Sequence, residues 1–333
     1  MNKLKIAIIG TGSVACNEYV PYLAGRKDIA LSYFSRTLSK AEICSKKHGG
    51  SVRKSLAEIV ADDPDAVLVL TNETQRIDVA NELVPLRPRR IFFEKPLCAR
   101  NGQGAVCEND FFEARDMLRR AHDAGIETAM MFNYRFFSIT QRLIDTVASR
   151  KLGPLLQASF FVNYACWSHC IDLLRVFGGK TARVTALAGS TEYASAASSG
   201  LDIGAAYTLE NGCTGTILGS SKPDFAAPLY MATLNFEGGL MRICDLDGAM
   251  DIYPNGAQYA ESYSLMANNS RWSRYSASFG CALAAYLQSI AEKQAAPVPG
   301  MAGLEELQFE AALKRSAKEG RTVDVQREFP LNG

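Results

Sequence analysis

The sequence predicts two domains: an α/β domain on a doubly wound parallel sheet, residues 1–131, and an α+β domain on a mostly antiparallel sheet, residues 132–333. Three observations predict this. Short runs rich in Ile, Val and Phe alternate with helical patterns through the first domain. A glycine turn follows the first of these runs. After residue 154, strand patterns succeed one another with only turn material between them.

The first-domain strands are expected at 5–9, 29–34, 66–70, 90–93 and 127–131. Helical spacing falls between them at 13–23, 39–47, 77–86 and 111–124. Continuous apolar runs suit strands buried on both faces, and parallel neighbours need crossover helices of about this length. In the second domain, strands are expected at 155–163, 182–188, 203–209, 213–219, 229–236 and 240–244. The separators ENG, SSKPD and EGG leave little room for crossovers, so the pairing is read as antiparallel. Residues 255–273 read as polar and irregular, 278–292 as a helix, 296–303 as a Pro/Gly loop and 304–318 as a closing helix.

Composition narrows the partner. With 36 basic and 35 acidic residues the formal net charge is +1, and no basic run stands out, so neither nucleic acid nor an anionic membrane is expected. Nine cysteines are scattered without a Cys-x-x-Cys pair, so no metal is expected. The first residues lack a signal-peptide core, and no apolar stretch reaches membrane-spanning length. A cytoplasmic protein with a small-molecule partner is the expectation.

The segment IAIIGTGSVACNEY carries the first chemistry. Gly10, Gly12 and Ala15 match G-x-G-x-x-G/A between a strand and a helix. Gly10 permits the tight turn, Gly12 lets the backbone approach a pyrophosphate, and Ala15 lets helix pack on strand. Thr11, Ser13 and Val14 complete the turn and open the helix, whose first N–H groups suit an anion. The second strand ends in Ser35, Arg36 and Thr37, with Lys40 a turn later. A carboxylate here would hold a ribose 2′-hydroxyl and repel a 2′-phosphate, whereas Arg36 accommodates the phosphate, so NADP is favoured over NAD. The alternative leaves Arg36 against the adenine or in solvent, with NAD as cofactor. Thr71 and Asn72 follow the third strand at the same sheet edge and are expected at the cofactor.

The third segment is RRIFFEKPLCAR. A buried strand delivers Glu94, Lys95 and Pro96 to the carboxyl edge of the sheet, where ligands of such folds bind. A plain strand-end charge is the alternative for Lys95. Together with MMFNYRFF and the closing GLEELQFEAALKRSAKEGRTVDV, these motifs resemble the glucose–fructose oxidoreductase / inositol dehydrogenase / rhizopine catabolism (Gfo/Idh/MocA) family over essentially the whole chain. The resemblance implies a Rossmann domain, a large open second sheet and an NAD(P)-dependent reaction on a sugar, polyol or related hydroxyl compound. It places Lys95 at the nicotinamide and the reacting hydroxyl. It makes Arg135 a cofactor contact, with an interdomain salt bridge as the alternative, and Asn133 a substrate contact.

The family also carries Asp-x-x-x-His-x-x-Asp at the start of a second-domain helix, and ACWSHCID is the corresponding stretch here. His169 and Asp172 match its second half, while Ala165 stands in place of the first aspartate. His169 is read as the proton carrier, since a neutral imidazole accepts the alcohol proton as hydride leaves; a structural histidine is the alternative. Asp172 binds a substrate hydroxyl or favours the helix N-terminus. Trp167 packs on a sugar ring or in the core, and Tyr164 supplies a hydroxyl. The loss at 165 leaves open a family member that uses transient oxidation for elimination or glycoside cleavage, and a non-catalytic nucleotide-binding regulator. The connection after Lys95 looks about ten residues longer than the resemblance implies. It reads as a lid, a subunit contact or a solvated loop, with Cys98 and Cys107 able to pair under oxidation. An open sheet face implies a homodimer or homotetramer.

Overall fold

In the computed structural model, residues 3–194, 199–246, 248–266 and 269–332 are described. The chain forms two compact units. The first comprises Met1–Arg100, Asn109–Phe132 and Phe279–Leu304; the second comprises Asn101–Glu108, Asn133–Ser278 and Glu305–Gly333. The expected division at residue 131 differs from this at two places. Phe279–Leu304 clusters with the first unit, where Tyr286 donates from its hydroxyl to the carbonyl of Met130 and Phe279 lies edge-on to Tyr19. Asn101–Glu108 clusters with the second.

The first unit contains β1 (Leu4–Ile9), α1 (Val20–Ala24), β2 (Ile29–Phe34), α2 (Leu38–His48), β3 (Ser51–Val52), α3 (Leu56–Ala61), β4 (Ala66–Val69), α4 (Glu73–Leu83), β5 (Arg90–Glu94), most of α5 (Glu108–Asp123) and β6 (Glu127–Met131). All strands are parallel, in the order β3-β2-β1-β4-β5-β6. The order reverses between β1 and β4, which creates the crevice where doubly wound folds hold their ligands. Every residue of β4, and Ile91–Glu94 of β5, is buried, as sheets covered on both faces require. Two small elements escaped the sequence reading: β3 has two residues, and α3 is a six-residue helix capped by Ser55, whose side chain accepts from the Glu58 amide at 3.1 Å.

The second unit contains α6 (Ser138–Ser149), β7 (Leu155–Asn163), α7 (Trp167–Gly178), β8 (Thr181–Ala194), β9 (Ser199–Leu209), β10 (Thr214–Ser220), β11 (Tyr230–Phe236), β12 (Gly239–Cys244), β13 (Met250–Pro254) and β14 (Glu261–Tyr263). Helix α8 (Arg271–Ala291) begins in it, and most of α9 (Met301–Glu319), β15 (Val323–Asp324) and α10 (Val325–Glu328) belong to it. Its sheet has nine strands in the order β14-β13-β12-β11-β7-β10-β9-β8-β15, all antiparallel except the central β7–β10 pair. Strand β14 falls in the stretch read as irregular. It is a three-residue edge strand made by pairing with β13 rather than by any apolar pattern of its own. Helix α6 was missed because Thr140 and Thr146 take core positions beside Leu143, which blurs its apolar stripe.

The long connection after Lys95 is packed rather than solvated. Gly104 is buried against β9, and a Cβ there would fall 1.8 Å from the Ser199 carbonyl oxygen. Arg315 of α9 donates to the Glu108 carboxylate. Cys98 is buried and its thiol donates to Asp110 at 3.3 Å. Burial, with Asp110 alongside, pushes that thiol far above its usual range. Cys98 is therefore a poor candidate for thiolate chemistry.

Candidate active site

Each unit presents its own set of candidate side chains. In the first, the glycine turn lies at the switch point of the sheet. Gly10 follows β1 with φ +92°, and a Cβ there would lie 2.8 Å from the Thr71 amide nitrogen at the end of β4. Only glycine fits that close approach. At Gly12 the opposite holds: a Cβ would meet nothing within 4 Å, so that side of the turn is open. The chain then enters a π-helical turn at Ala15–Tyr19 before α1, with Ala15 buried and Ser13 and Val14 exposed at the helix opening. Thr11 and Thr71, on the two sides of the crevice, each hold a hydroxyl shut off from solvent and without a hydrogen-bond partner among the described residues. Buried hydroxyls of this kind suit a polar ligand. An open glycine, a helix N-terminus and these two hydroxyls fit a dinucleotide pyrophosphate.

Beyond β2, Ser35 is half-buried and Arg36, Thr37 and Lys40 are exposed. The Arg36 guanidinium donates to the Gln75 side-chain oxygen. Asn72 serves as the N-cap of α4, accepting from the Thr74 amide at 3.0 Å. Its side-chain oxygen is thereby engaged in holding the helix start.

Lys95 stands half-buried directly after β5. The turn it belongs to is tied from three sides. Glu94, itself buried, accepts from the Tyr19 hydroxyl at 2.7 Å and from the Lys95 amide at 2.6 Å. Arg76, buried on α4, donates to the Pro96 carbonyl and, at 2.6 Å, to the Thr71 carbonyl. It thus joins the ends of β4 and β5. The Lys95–Pro96 peptide is cis. Tyr19 and Arg76 are positioning residues that sequence reasoning overlooked. Arg76 had a signal: it shares the helical spacing of the core residues Val79, Ala80 and Leu83.

In the second unit, a 3₁₀ turn at Tyr164–Cys166 leads into α7, with the Asn163 side chain accepting from the Ala165 amide at 2.9 Å. His169 is buried, and its ring stacks on Tyr134 with centroids 3.9 Å apart and planes 4° from parallel. The Tyr134 hydroxyl meets the Cys166 sulfur at 2.9 Å. Burial pushes that hydroxyl well above its ordinary range, and the Cys166 thiol acts in the same direction, so Tyr134 stays neutral. It fixes the plane of the imidazole and was not foreseen, since no sequence pattern pairs residues 134 and 169.

Asp172 is fully buried and forms a bidentate pair with Arg135, at 2.6 Å to Nε and 2.5 Å to Nη2. Burial raises the Asp172 carboxyl above its ordinary value, and the two arginine hydrogen bonds oppose it. The Arg135 salt bridge therefore lies within the second unit. Each of these two predicted contacts has the other as its partner. Asn133 is buried and donates to the Ser278 hydroxyl at 2.8 Å. The Tyr164 hydroxyl donates to the Leu201 carbonyl at 2.7 Å. Trp167 is 1% exposed and packs on Gly219, where a Cβ would come within 2.5 Å of its ring. Two pairs, His169 with Tyr134 and Asp172 with Arg135, thus join α7 to the 3₁₀ turn at Asn133–Phe136.

Residues 4–124 match a family model described as an oxidoreductase family with an NAD-binding Rossmann fold. A D-glucoside 3-dehydrogenase of Escherichia coli K12 is 30% identical over 158 residues, a stretch covering 46% of this chain and 41% of that protein. The fold is shared with an Agrobacterium radiobacter oxidoreductase solved with NAD+, L-tartaric acid and magnesium, with TM-score 0.81, 17% identity, and 98% and 100% of the two chains covered. It is shared equally with a super-repressor mutant of Gal80p from Saccharomyces cerevisiae, with TM-score 0.80, 11% identity, and 98% and 99% covered.

Proposed function

From a chain that belongs, through residues 4–124, to the Gfo/Idh/MocA family of NAD-binding oxidoreductases, we propose an NADP-preferring dehydrogenase or reductase of a sugar, polyol or related hydroxyl compound. The observation that carries this reading is Lys95, a half-buried ammonium held at the end of β5 in the same unit as the open glycine turn. The similarity to a D-glucoside 3-dehydrogenase supports a carbohydrate-like substrate.

The glycine turn binds the pyrophosphate with Gly12 and the amides that open the helix. When bound, the nicotinamide accepts or returns a hydride. Lys95 donates a hydrogen bond to the reacting oxygen and stabilises its alkoxide character. His169 takes the hydroxyl proton at a ring nitrogen and returns it in reduction. The test is single-turnover absorbance of the reduced nicotinamide with a panel of sugars and polyols. Hydride transfer with at least one of them supports the reading; tight nucleotide binding with no transfer to any supports a non-catalytic regulator, for which Ala165 is the observation in favour.

For NADP, the exposed Arg36 and Lys40 beyond β2 are the supporting observation. Arg36→Ala is expected to raise the KM for NADP about tenfold or more, the loss of a charge-assisted phosphate contact, and to leave NAD almost untouched. Equal effects on both cofactors would argue for NAD.

The second sheet supports a homo-oligomer. Leu187, Gly204, Leu218, Phe161 and Met231 stand opposite one another in register across β8, β9, β10, β7 and β11. The four side chains in this row are exposed, Leu187 to 78%. A contiguous apolar row on one sheet face suits a second copy of the same face. Leu187→Glu with Leu218→Glu is expected to yield monomers by size-exclusion light scattering; an unchanged mass would remove this face from the assembly.

A further inference from the structure

The aromatic residues near the start of α8 are not used by the mechanism above. Trp272 is 46% exposed and Phe225 is 36% exposed. Their rings lie 5.6 Å apart at 58°, and Tyr275 meets Trp272 edge-on at 5.9 Å and 80°. Single exposed apolar residues are ordinary, but three aromatic rings held together at the surface are not.

The cluster is firmly backed. Arg271 lies against the Trp272 ring, 5.2 Å from its centroid. Its guanidinium donates to the Ala227 carbonyl at 3.0 Å, to the Phe225 carbonyl and to the Asp245 carboxylate. Asp245 also accepts from the Leu229 and Leu246 amides at 3.1 and 2.9 Å. The backbone of Phe225, Ala227 and Leu229 is thereby tied to Arg271 and Asp245. A platform ordered in advance loses little entropy when a ring settles on it.

It is also tied to the residues around His169. Asn163, which caps the turn into α7, donates its side-chain amide to the Pro223 carbonyl at 2.8 Å. Ser278 donates to the Tyr275 carbonyl at 2.6 Å and accepts from Asn133, the neighbour of Tyr134. Tyr134 in turn stacks on His169.

We propose that Phe225, Trp272 and Tyr275 form a ring-binding subsite beside His169, so that the preferred substrate is a glycoside carrying a second ring rather than a free monosaccharide. This rests on the oxidoreductase reading above. One ring presents its hydroxyl to the proton-transfer site, and the second lays its C–H face on the Trp272 indole. Ser273 and Asp224, the exposed neighbours of Trp272 and Phe225, are at hand for its hydroxyls.

The holoprotein is assayed with cellobiose and with methyl β-glucoside. Trp272→Ala is expected to lower kcat/KM about five- to tenfold on the disaccharide, the scale of one aromatic stacking contact, and to leave the methyl glycoside nearly unchanged. Trp272→Phe restores most of the difference. Equal losses on both sugars overturn the proposal. A second readout needs no turnover: of the chain's two tryptophans Trp167 is buried, so acrylamide quenching of fluorescence reports Trp272. Protection by cellobiose but not by methyl glucoside supports the subsite even if neither sugar is oxidised, in which case the dehydrogenase reading alone fails. No protection by cellobiose, or a Trp272→Ala protein that loses its oligomeric state, overturns the subsite in favour of a contact between copies.

Discussion

Lys95→Met is expected to lower kcat/KM about a thousandfold while nucleotide binding persists, a loss on the scale of removing one preorganised donor from a developing oxyanion. Methionine keeps the length of the side chain and much of its apolar packing, so the effect isolates the ammonium. The footing is rigid. Strand β5 is hydrogen-bonded on both sides, to β4 and β6, and the turn after it is held by Glu94 and by Arg76. Lys95→Arg is also expected to fail, because a planar fork cannot replace a compact ammonium in the same space. Nucleotide binding, followed by fluorescence titration, should survive both changes, since the pyrophosphate is assigned to Gly12 and the helix opening. Activity retained within about tenfold would reduce Lys95 to a strand-end charge, because a true electrophile contributes well beyond that.

Much of this footing was legible in the sequence. Strands β2, β6 and β7 match the expected bounds, because buried runs of Ile, Val, Phe and Met have no other stable use between turns. The glycine turn was legible for a related reason: Gly10 takes a conformation and a closeness to Thr71 that other residues cannot. The edge of the second sheet was not. Strand β14 is polar and short, and its existence depends on β13 being beside it. The first two turns of α8 are made of Arg, Ser, Tyr and Trp without an apolar stripe, and their start is set by Ser270, whose hydroxyl accepts from the Ser273 amide at 3.1 Å.

The site followed the same division. Lys95 and His169 stood out singly, one by its place at a strand end and the other among only three histidines. Their supports did not, because support is a tertiary property. Arg135 and Asp172 are 37 residues apart, and only the fold shows that the carboxylate read as a substrate ligand or a helix-start charge has an arginine fork on both its oxygens. Leaving either member of such a buried pair alone is costly, so both are better understood as fixing α7 beneath His169. Arg76 belongs to the same class: its value lies in two backbone carbonyls from different strands, which no local pattern encodes.

His169→Phe is expected to reduce kcat about a hundredfold or more, the usual contribution of a positioned general base, and to flatten the acid limb of the pH–rate profile. The sign follows from the chemistry. A neutral imidazole accepts the alcohol proton, so oxidation needs an unprotonated base, and without the ring nitrogens that requirement disappears. Phenylalanine preserves a flat ring against Tyr134, whose hydroxyl is anchored at Cys166, so the thermal midpoint should move little. This separates proton transfer from a merely structural histidine, for which stability would fall and the profile keep its shape. Ala165→Asp provides the converse measurement. Position 165 is half-buried in the turn capped by Asn163, and a carboxylate four residues before His169 would stabilise the imidazolium formed during oxidation. The expected outcome is a several-fold higher kcat, with the acid limb moved to higher pH because the carboxylate favours the protonated ring. The double variant with His169→Phe should show neither gain nor shift. A gain that persists without the histidine would mean that the new carboxylate acts on the substrate itself, and the proton would then have to be assigned elsewhere.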